Sequence, residues 1–222
     1  MRWTPRASAF WNSFCEGLAS LAYPPKCALC GVAGVPPICG ECRTGLPAAD
    51  RMEDLGDGLL VWAAFRYGGR AAQAVKRLKY ERATSLGRPM AELLAASWRR
   101  SGLPDPHAVV PVPIHFLRRC SRGFNQSDLL AEGFERGLVR PELLRRVRPT
   151  RPQVGLSREQ RSRNLLGAFR ASPAVAGLSV LLVDDVLTGG FTMRECARTL
   201  LEAGAANVAG LVFCVEEPAN GG

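Results

Sequence analysis

The chain has 222 residues, 47% of them hydrophobic, which is enough for one medium domain with a small appendage and too apolar for a wholly disordered chain. No apolar run approaches the ~18 residues of a membrane span, and the basic N-terminus leads into a mixed stretch rather than a signal-peptide core, so a cytoplasmic protein is expected. The formal charge of +9 is concentrated in residues 118–170, where thirteen arginines and no lysine meet five acids, a composition suited to phosphate, pyrophosphate or nucleic acid, or to a plain solvated face.

Phe10, Trp11, Phe14, Leu18 and Leu21 recur at roughly helical spacing. They predict an amphipathic helix over residues 1–22, ended by Tyr23-Pro24-Pro25. A second unit is expected over 23–50, and the main domain over 58–216. Pro47 and the Gly/Asp-rich residues 54–58 read as the linker between them.

Four of the eight cysteines fall in the second unit, as Cys27-x2-Cys30-x8-Cys39-x2-Cys42. Each Cys-x2-Cys can aim two thiolates at one point, and two such knuckles complete a tetrahedral S4 site of the kind Zn²⁺ accepts. Gly31 and Gly40 are expected to supply left-handed turns there. Four protein ligands leave no open position, so the metal would be structural. An iron–sulfur cluster or unliganded thiols are the other readings. Cys15, Cys120, Cys196 and Cys214 are scattered and read as ordinary buried thiols.

In the main domain, residues 59–65 predict a strand, 70–80 a helix and 84–101 a second helix. Lys76 and Lys79 share a face of the first helix and read as solvated. Residues 108–113 predict a short strand, and 125–137 a helix. The basic stretch 149–164 is poor in core residues and reads as a loop or lid. Residues 179–183 form a continuous apolar run expected as a buried strand, followed by a helix over 191–203 and a last strand over 208–215. Alternation of strands with helices predicts a mostly parallel α/β sheet flanked by helices.

The sharpest feature lies at the end of that buried strand: Asp184 and Asp185, then Thr188-Gly189-Gly190, then the helix that begins with Phe191-Thr192. Ligands of open parallel sheets sit at this edge. Free backbone N–H groups of residues 188–192 and the helix N-terminus can cradle an anion, helped by the Thr188 and Thr192 hydroxyls. The carboxylates would face the ribose hydroxyls of the same ligand, or Mg²⁺. Together these parts suit a sugar phosphate, although an aspartate near a helix start also serves as plain capping.

The acidic turn resembles the phosphoribosyl pyrophosphate (PRPP) motif of the ComF family, competence-type proteins that fuse a zinc ribbon to a type I phosphoribosyltransferase domain. Further segments match. Tyr67-Gly68-Gly69 and Lys76-Arg77-Leu78-Lys79-Tyr80 resemble the start of that domain. Val110-Pro111-Val112-Pro113, with Arg118, Arg119 and Arg122-Gly123-Phe124-Asn125-Gln126-Ser127, is the most distinctive block. Arg148, Thr150, Gln153, Leu156, Arg161, Asn164 and Phe169 follow the downstream pattern. The resemblance runs from about residue 20 to 215, and departs where Gly189 replaces the second threonine of the motif. It implies a type I phosphoribosyltransferase-like sheet preceded by a zinc ribbon.

The resemblance also implies roles. Residues 114–119 would form the pyrophosphate loop, with Arg118, Arg119 and Arg122 as pyrophosphate or substrate ligands. Residues 149–164 would form a hood, with Gln153, Arg158, Arg161 and Asn164 facing ligand or nucleic acid. The expected function is binding of a ribose 5-phosphate or PRPP-type ligand, with Mg²⁺, in DNA uptake or utilisation. Single-stranded DNA and other DNA-uptake proteins are the macromolecular partners it suggests. The alternative is a true phosphoribosyltransferase that displaces pyrophosphate from PRPP onto an unknown acceptor, with no evident general base. His107 and His115 read as structural, and Phe116, Phe124 and Phe134 as core. An adaptor using the zinc ribbon as a docking surface is a third class.

Overall fold

A computed structural model describes residues 25–150, 160 and 164–217, with the side chains of Leu117 and Arg118 left aside. The helix expected within residues 1–22 lies outside these. The chain divides into two units between Gly45 and Leu46.

The first unit is built around its cysteines. Lys26 and Ala33 form an antiparallel bridge. Inside the loop they close, the Gly31 N–H donates to the Cys27 carbonyl at 2.9 Å, and the Cys27 N–H to the Val32 carbonyl at 2.8 Å. Gly31 sits at φ +81°, as a tight knuckle requires. Gly40 does not adopt a left-handed turn. It follows the first cysteine of its pair and opens a short helix, α1 (Gly40–Thr44), with Cys39 as N-cap and Cys42 on the buried side.

The second unit is a five-stranded sheet of order β1-β2-β7-β6-β3. Its strands are β1 (Ala48–Asp54), β2 (Leu60–Arg66), β3 (Ala108–Pro111), β6 (Ser179–Leu187) and β7 (Asn207–Val215). All neighbours are parallel except the β1–β2 pair. The helices are α2 (Gly69–Tyr80), α3 (Gly87–Trp98), α4 (Phe116–Arg122), α5 (Gln126–Ala131) and α6 (Phe191–Glu202). Val180 and Leu182 of β6, Val212 of β7 and Met193, Cys196 and Leu200 of α6 belong to one buried cluster.

Residues 54–58 are not a linker. They form the turn of the β1–β2 hairpin, in which the Gly56 N–H donates to Asp54 Oδ1 at 2.8 Å and Asp57 takes φ +53°. β1 escaped sequence reading because it is charged, short of apolar residues and only half-buried, as edge strands commonly are. A bulge with Asp50 at φ +39° re-aims its carboxylate, which accepts from Ser97 Oγ at 2.7 Å and pairs with Arg100.

The second helix is shorter than its apolar pattern, with a 3-10 turn (Thr84–Leu86) ahead of α3. α5 also stops early. Beyond it the chain passes so close to α3 that a Cβ at Gly133 would lie 2.3 Å from the Ala91 carbonyl oxygen. A two-stranded sheet of β4 (Leu144–Arg146) and β5 (Phe169–Ala171) joins the two ends of the basic stretch. Cys196 and Cys214 are buried as expected, but Cys120 is exposed on α4. Among the described residues no helix is long and apolar enough to cross a membrane.

Candidate functional site

β3 ends at Pro111, opposite Val183, whereas β6 runs on beside β7 to Leu187, so Asp184 and Asp185 lie just past the end of β3, in the C-terminal part of the sheet. Successive strand residues point to opposite faces, and the two carboxylates accordingly have different partners. Asp184 Oδ1 accepts from Ser127 Oγ at 2.9 Å and from the Asp185 N–H at 2.9 Å. Asp185, only 3% exposed, pairs with Lys79 Nζ at 2.8 Å. Its Oδ2 has no other hydrogen-bond partner.

Burial, together with the neighbouring Asp185, pushes the Asp184 carboxyl up to about 7, against the opposing pull of Lys79, the Asp185 N–H and Ser127. Burial alone would pull Lys79 down, but Asp185 outweighs it and holds the ammonium above its usual range. Lys79 is therefore no solvated side chain. It is the counter-ion of the acidic edge, delivered by the last turn of α2.

The Asn125-Gln126-Ser127 block explains itself in this geometry. Asn125 caps α5, accepting from the Ser127 N–H at 3.2 Å, while its Nδ2 donates to the Val112 carbonyl at 3.1 Å. The cap thereby locks the end of β3 to α5 and sets Ser127, which is fully buried, against Asp184. Gln126 Oε1 accepts from Arg122 Nη1 at 3.0 Å. Sequence reading found the block by resemblance only. Its polar residues carry no periodicity, yet all three are buried.

After β6 the chain enters the Thr188-Gly189-Gly190 turn. Gly190 caps α6 at φ +71°, a left-handed position natural to glycine. Asp184, Thr188, Gly190, Phe191 and Thr192 line one shallow concavity of about 30 Å³, while Asp185 lies outside it. Arg194 Nη1 donates to the Gly189 carbonyl at 2.9 Å and its Nε to the Leu55 carbonyl at 2.8 Å, tying the turn to the β1–β2 hairpin. A Cβ at Gly189 would lie 2.6 Å from the Phe191 ring, so the glycine that departs from the family motif and the phenylalanine two residues on fit one another.

Other expected residues fall elsewhere or outside the described part. Residues 116–122 are helical rather than a continuous loop. Arg119 is exposed on α4, and Arg122 lines a neighbouring cavity with Lys79. Gln153, Arg158 and Arg161 lie outside the described residues, as does the Arg118 side chain. The Asn164 carbonyl accepts from Arg148 Nη2 at 3.1 Å. His107 lies at the opposite end of β3 and accepts from the Ser179 N–H at 3.0 Å, which makes it structural. Phe134 packs edge-on against Trp98, whereas Phe116 is 70% exposed instead of core.

The Lys79–Asp185 pair carries a stability prediction. Lys79→Met strands a buried carboxylate and should cost about 3 kcal/mol in urea unfolding. The same substitution in an Asp185→Asn background should cost clearly less. Equal costs in both backgrounds would mean that Lys79 acts through packing alone.

In the first unit the four sulfurs lie within 4.8 Å of one another. The Cys27–Cys42 and Cys30–Cys39 separations are both 3.7 Å. A tetrahedral S4 site with bonds of about 2.3 Å requires sulfur–sulfur separations of about 3.8 Å. Burial pushes the Cys27 thiol up, but backbone N–H groups of Cys39, Cys30 and Leu29 outweigh it and hold the group down to about 6. The cluster can thus hold one metal ion such as zinc.

Residues 138–221 match the phosphoribosyl transferase domain family. The DNA utilization protein YhgH of Salmonella typhi is 37% identical over 198 residues, which is 85% of this chain and 82% of that protein. Competence protein F of Haemophilus influenzae is 30% identical over 210 residues, 89% of this chain and 88% of that protein.

Proposed function

Because this chain belongs to the ComF family, that of competence protein F and DNA utilization protein YhgH, we propose that its acidic edge binds a ribose 5-phosphate group of the PRPP type in the service of DNA uptake or utilisation. The observation that carries the reading is the concavity in which Asp184 meets Thr188, Gly190, Phe191 and Thr192. One carboxylate and an anion cradle share one opening.

In this reading the N–H groups of residues 188–192 and the start of α6 take the 5-phosphate. Asp184 takes the ribose hydroxyls, and with Asp185 behind it would hold Mg²⁺, a cation that suits hard oxygen donors and would neutralise the charge of the pyrophosphate. Lys79, paired with Asp185 at 2.8 Å, holds that carboxylate in place. In the same reading Arg119 and Arg122, on the helix that follows β3, take the pyrophosphate end, for which a guanidinium fork is well shaped. If the ligand turns over, these groups act by holding it and stabilising the departing pyrophosphate, so activity would depend on an acceptor brought to the anomeric carbon.

Calorimetric titration of the purified chain with PRPP in the presence of Mg²⁺ tests the reading. Saturable binding at about one site per chain is expected, with ribose 5-phosphate competing. A folded protein that shows no binding would remove the sugar-phosphate assignment.

A further inference from the structure

Beside the acidic edge lies a second cavity, of about 460 Å³, lined by Lys79, Tyr80, Arg82, Ser121 and Arg122. Its volume falls in the range of small-molecule sites. Three of its walls are cationic and none is a carboxylate. Lys79 is committed to Asp185. Arg82 and Arg122 are not committed to any acid: among the described residues no carboxylate pairs with either. Arg82 Nη2 donates to the Ser121 carbonyl at 2.8 Å and Arg122 to Gln126, so both guanidinium groups are held by neutral acceptors and keep their charge available.

Two features set the cavity apart from a generic basic surface. The first is Tyr80. It is 73% exposed, the highest exposure among the described large apolar side chains, yet the Arg122 guanidinium stands over its ring, 5.4 Å from the centroid. An aromatic plate is thus presented to solvent and braced by a cation. The second is the backbone of Arg82, at φ +52°. This left-handed position is uncommon for a residue with a Cβ and costs free energy that the surroundings must supply. Here it turns the chain out of α2 and lets Arg82 reach Ser121, 39 residues away in sequence.

We propose that this cavity is a nucleotide site, in which an aromatic base stacks on Tyr80 and a phosphate is held by Arg82 and Arg122. The chemistry selects this class. A bare polyphosphate has no use for an exposed aromatic wall, and an apolar ligand would strand two guanidinium groups. A nucleotide uses both, through stacking on an aromatic or guanidinium plane and a forked phosphate contact. Lys79 is shared with the acidic edge and Arg122 with its pyrophosphate end, so a nucleotide here lies next to the sugar-phosphate site. The inference rests on the reading above for that adjacency. The nucleotide can be free or part of a single strand, and Phe116, exposed at the other end of α4, offers a second aromatic surface to a strand.

The test uses the full chain with a fluorescent thymidine single strand and with thymidine monophosphate. Tyr80→Ala should weaken the tighter of the two about tenfold, and Tyr80→Phe should bind like the wild type. The salt dependence should be unchanged in Tyr80→Ala and shallower by about 0.7 in Arg82→Ala, since only the second removes a phosphate contact. Tyr80 is exposed, so its variants should melt at the wild-type temperature. Tighter binding of the strand assigns the site to nucleic acid, and tighter binding of the monophosphate to a free nucleotide. The proposal is overturned if Tyr80→Ala binds both ligands like the wild type, if neither ligand binds, or if pyrophosphate binds as well as either before and after the substitution. Mg²⁺–PRPP titration of Tyr80→Ala separates this proposal from its neighbour. Retained PRPP binding with lost nucleotide binding supports both, and lost PRPP binding by the wild type itself removes only the acidic-edge reading.

Discussion

Asp184→Asn should bind Mg²⁺–PRPP on the order of a hundredfold more weakly than the wild type, while being the more stable protein at pH 8. The two effects share one cause. Asp184 sits partly buried beside a second carboxylate, and its folded-state value is raised to about 7. A group raised in this way stabilises the fold fully below its ordinary value near 3.8 and loses that contribution as pH rises through about 7. At pH 8 the unliganded protein therefore holds an ion that its surroundings disfavour. Asparagine keeps an oxygen to accept from Ser127 and the Asp185 N–H and removes the charge. The expected gain is about 1–2 kcal/mol at pH 8, shrinking toward zero near pH 5.5, where the native carboxyl is protonated. Urea unfolding at the two pH values, beside the PRPP titration, reads both effects. A variant that still binds, or that is less stable at pH 8, would remove Asp184 from the ligand site as argued.

The second large effect concerns the cysteine unit. Among its described residues, apart from the cysteines, the buried hydrophobic side chains are Leu29 and Ile38, far too few for those residues to form a core by themselves. The sulfur spacing makes a bound metal the natural source of its order, and structural zinc in such small modules contributes ~10–16 kcal/mol. The purified chain should carry one zinc per molecule. Cys42→Ala removes the fully buried ligand at the start of α1. It should release the metal and open residues 25–45 to protease. Residues from 46 onward should still melt cooperatively, because the buried cluster around β6 and α6 is built from residues 59–215. Iron in place of zinc would change the site's identity. A metal-free protein with a protease-resistant knuckle would refute the assignment altogether.

Several parts of this molecule were open to reading from the chain alone. The Cys-x2-Cys pairs have a spacing that means little except as metal ligands. The apolar run of β6 ending in two aspartates and a glycine turn marks a sheet edge, because a fully buried parallel strand is continuously apolar and its polar terminus must face a ligand or solvent. The order of strands and helices followed from period and breakers.

What one dimension did not disclose were pairings across the chain. Lys79 looks like any lysine on a helix face. Its meeting with Asp185, 106 positions later, depends on α2 running back to the sheet edge. Ser127 is a common residue whose burial against Asp184 follows from the Asn125 cap on α5. β1 lacks an apolar signature because half of it is an edge, and only its pairing with β2 makes residues 54–58 a turn. Tyr80 and Arg122, far apart in sequence, become one wall only when α2 and α4 end side by side. Residue type and local period are enough to give the chemical groups, the metal-binding spacing and the strand that carries the acids. Which charges are paired and which are exposed follows only from packing, because desolvation and proximity belong to the folded chain and to no segment of it.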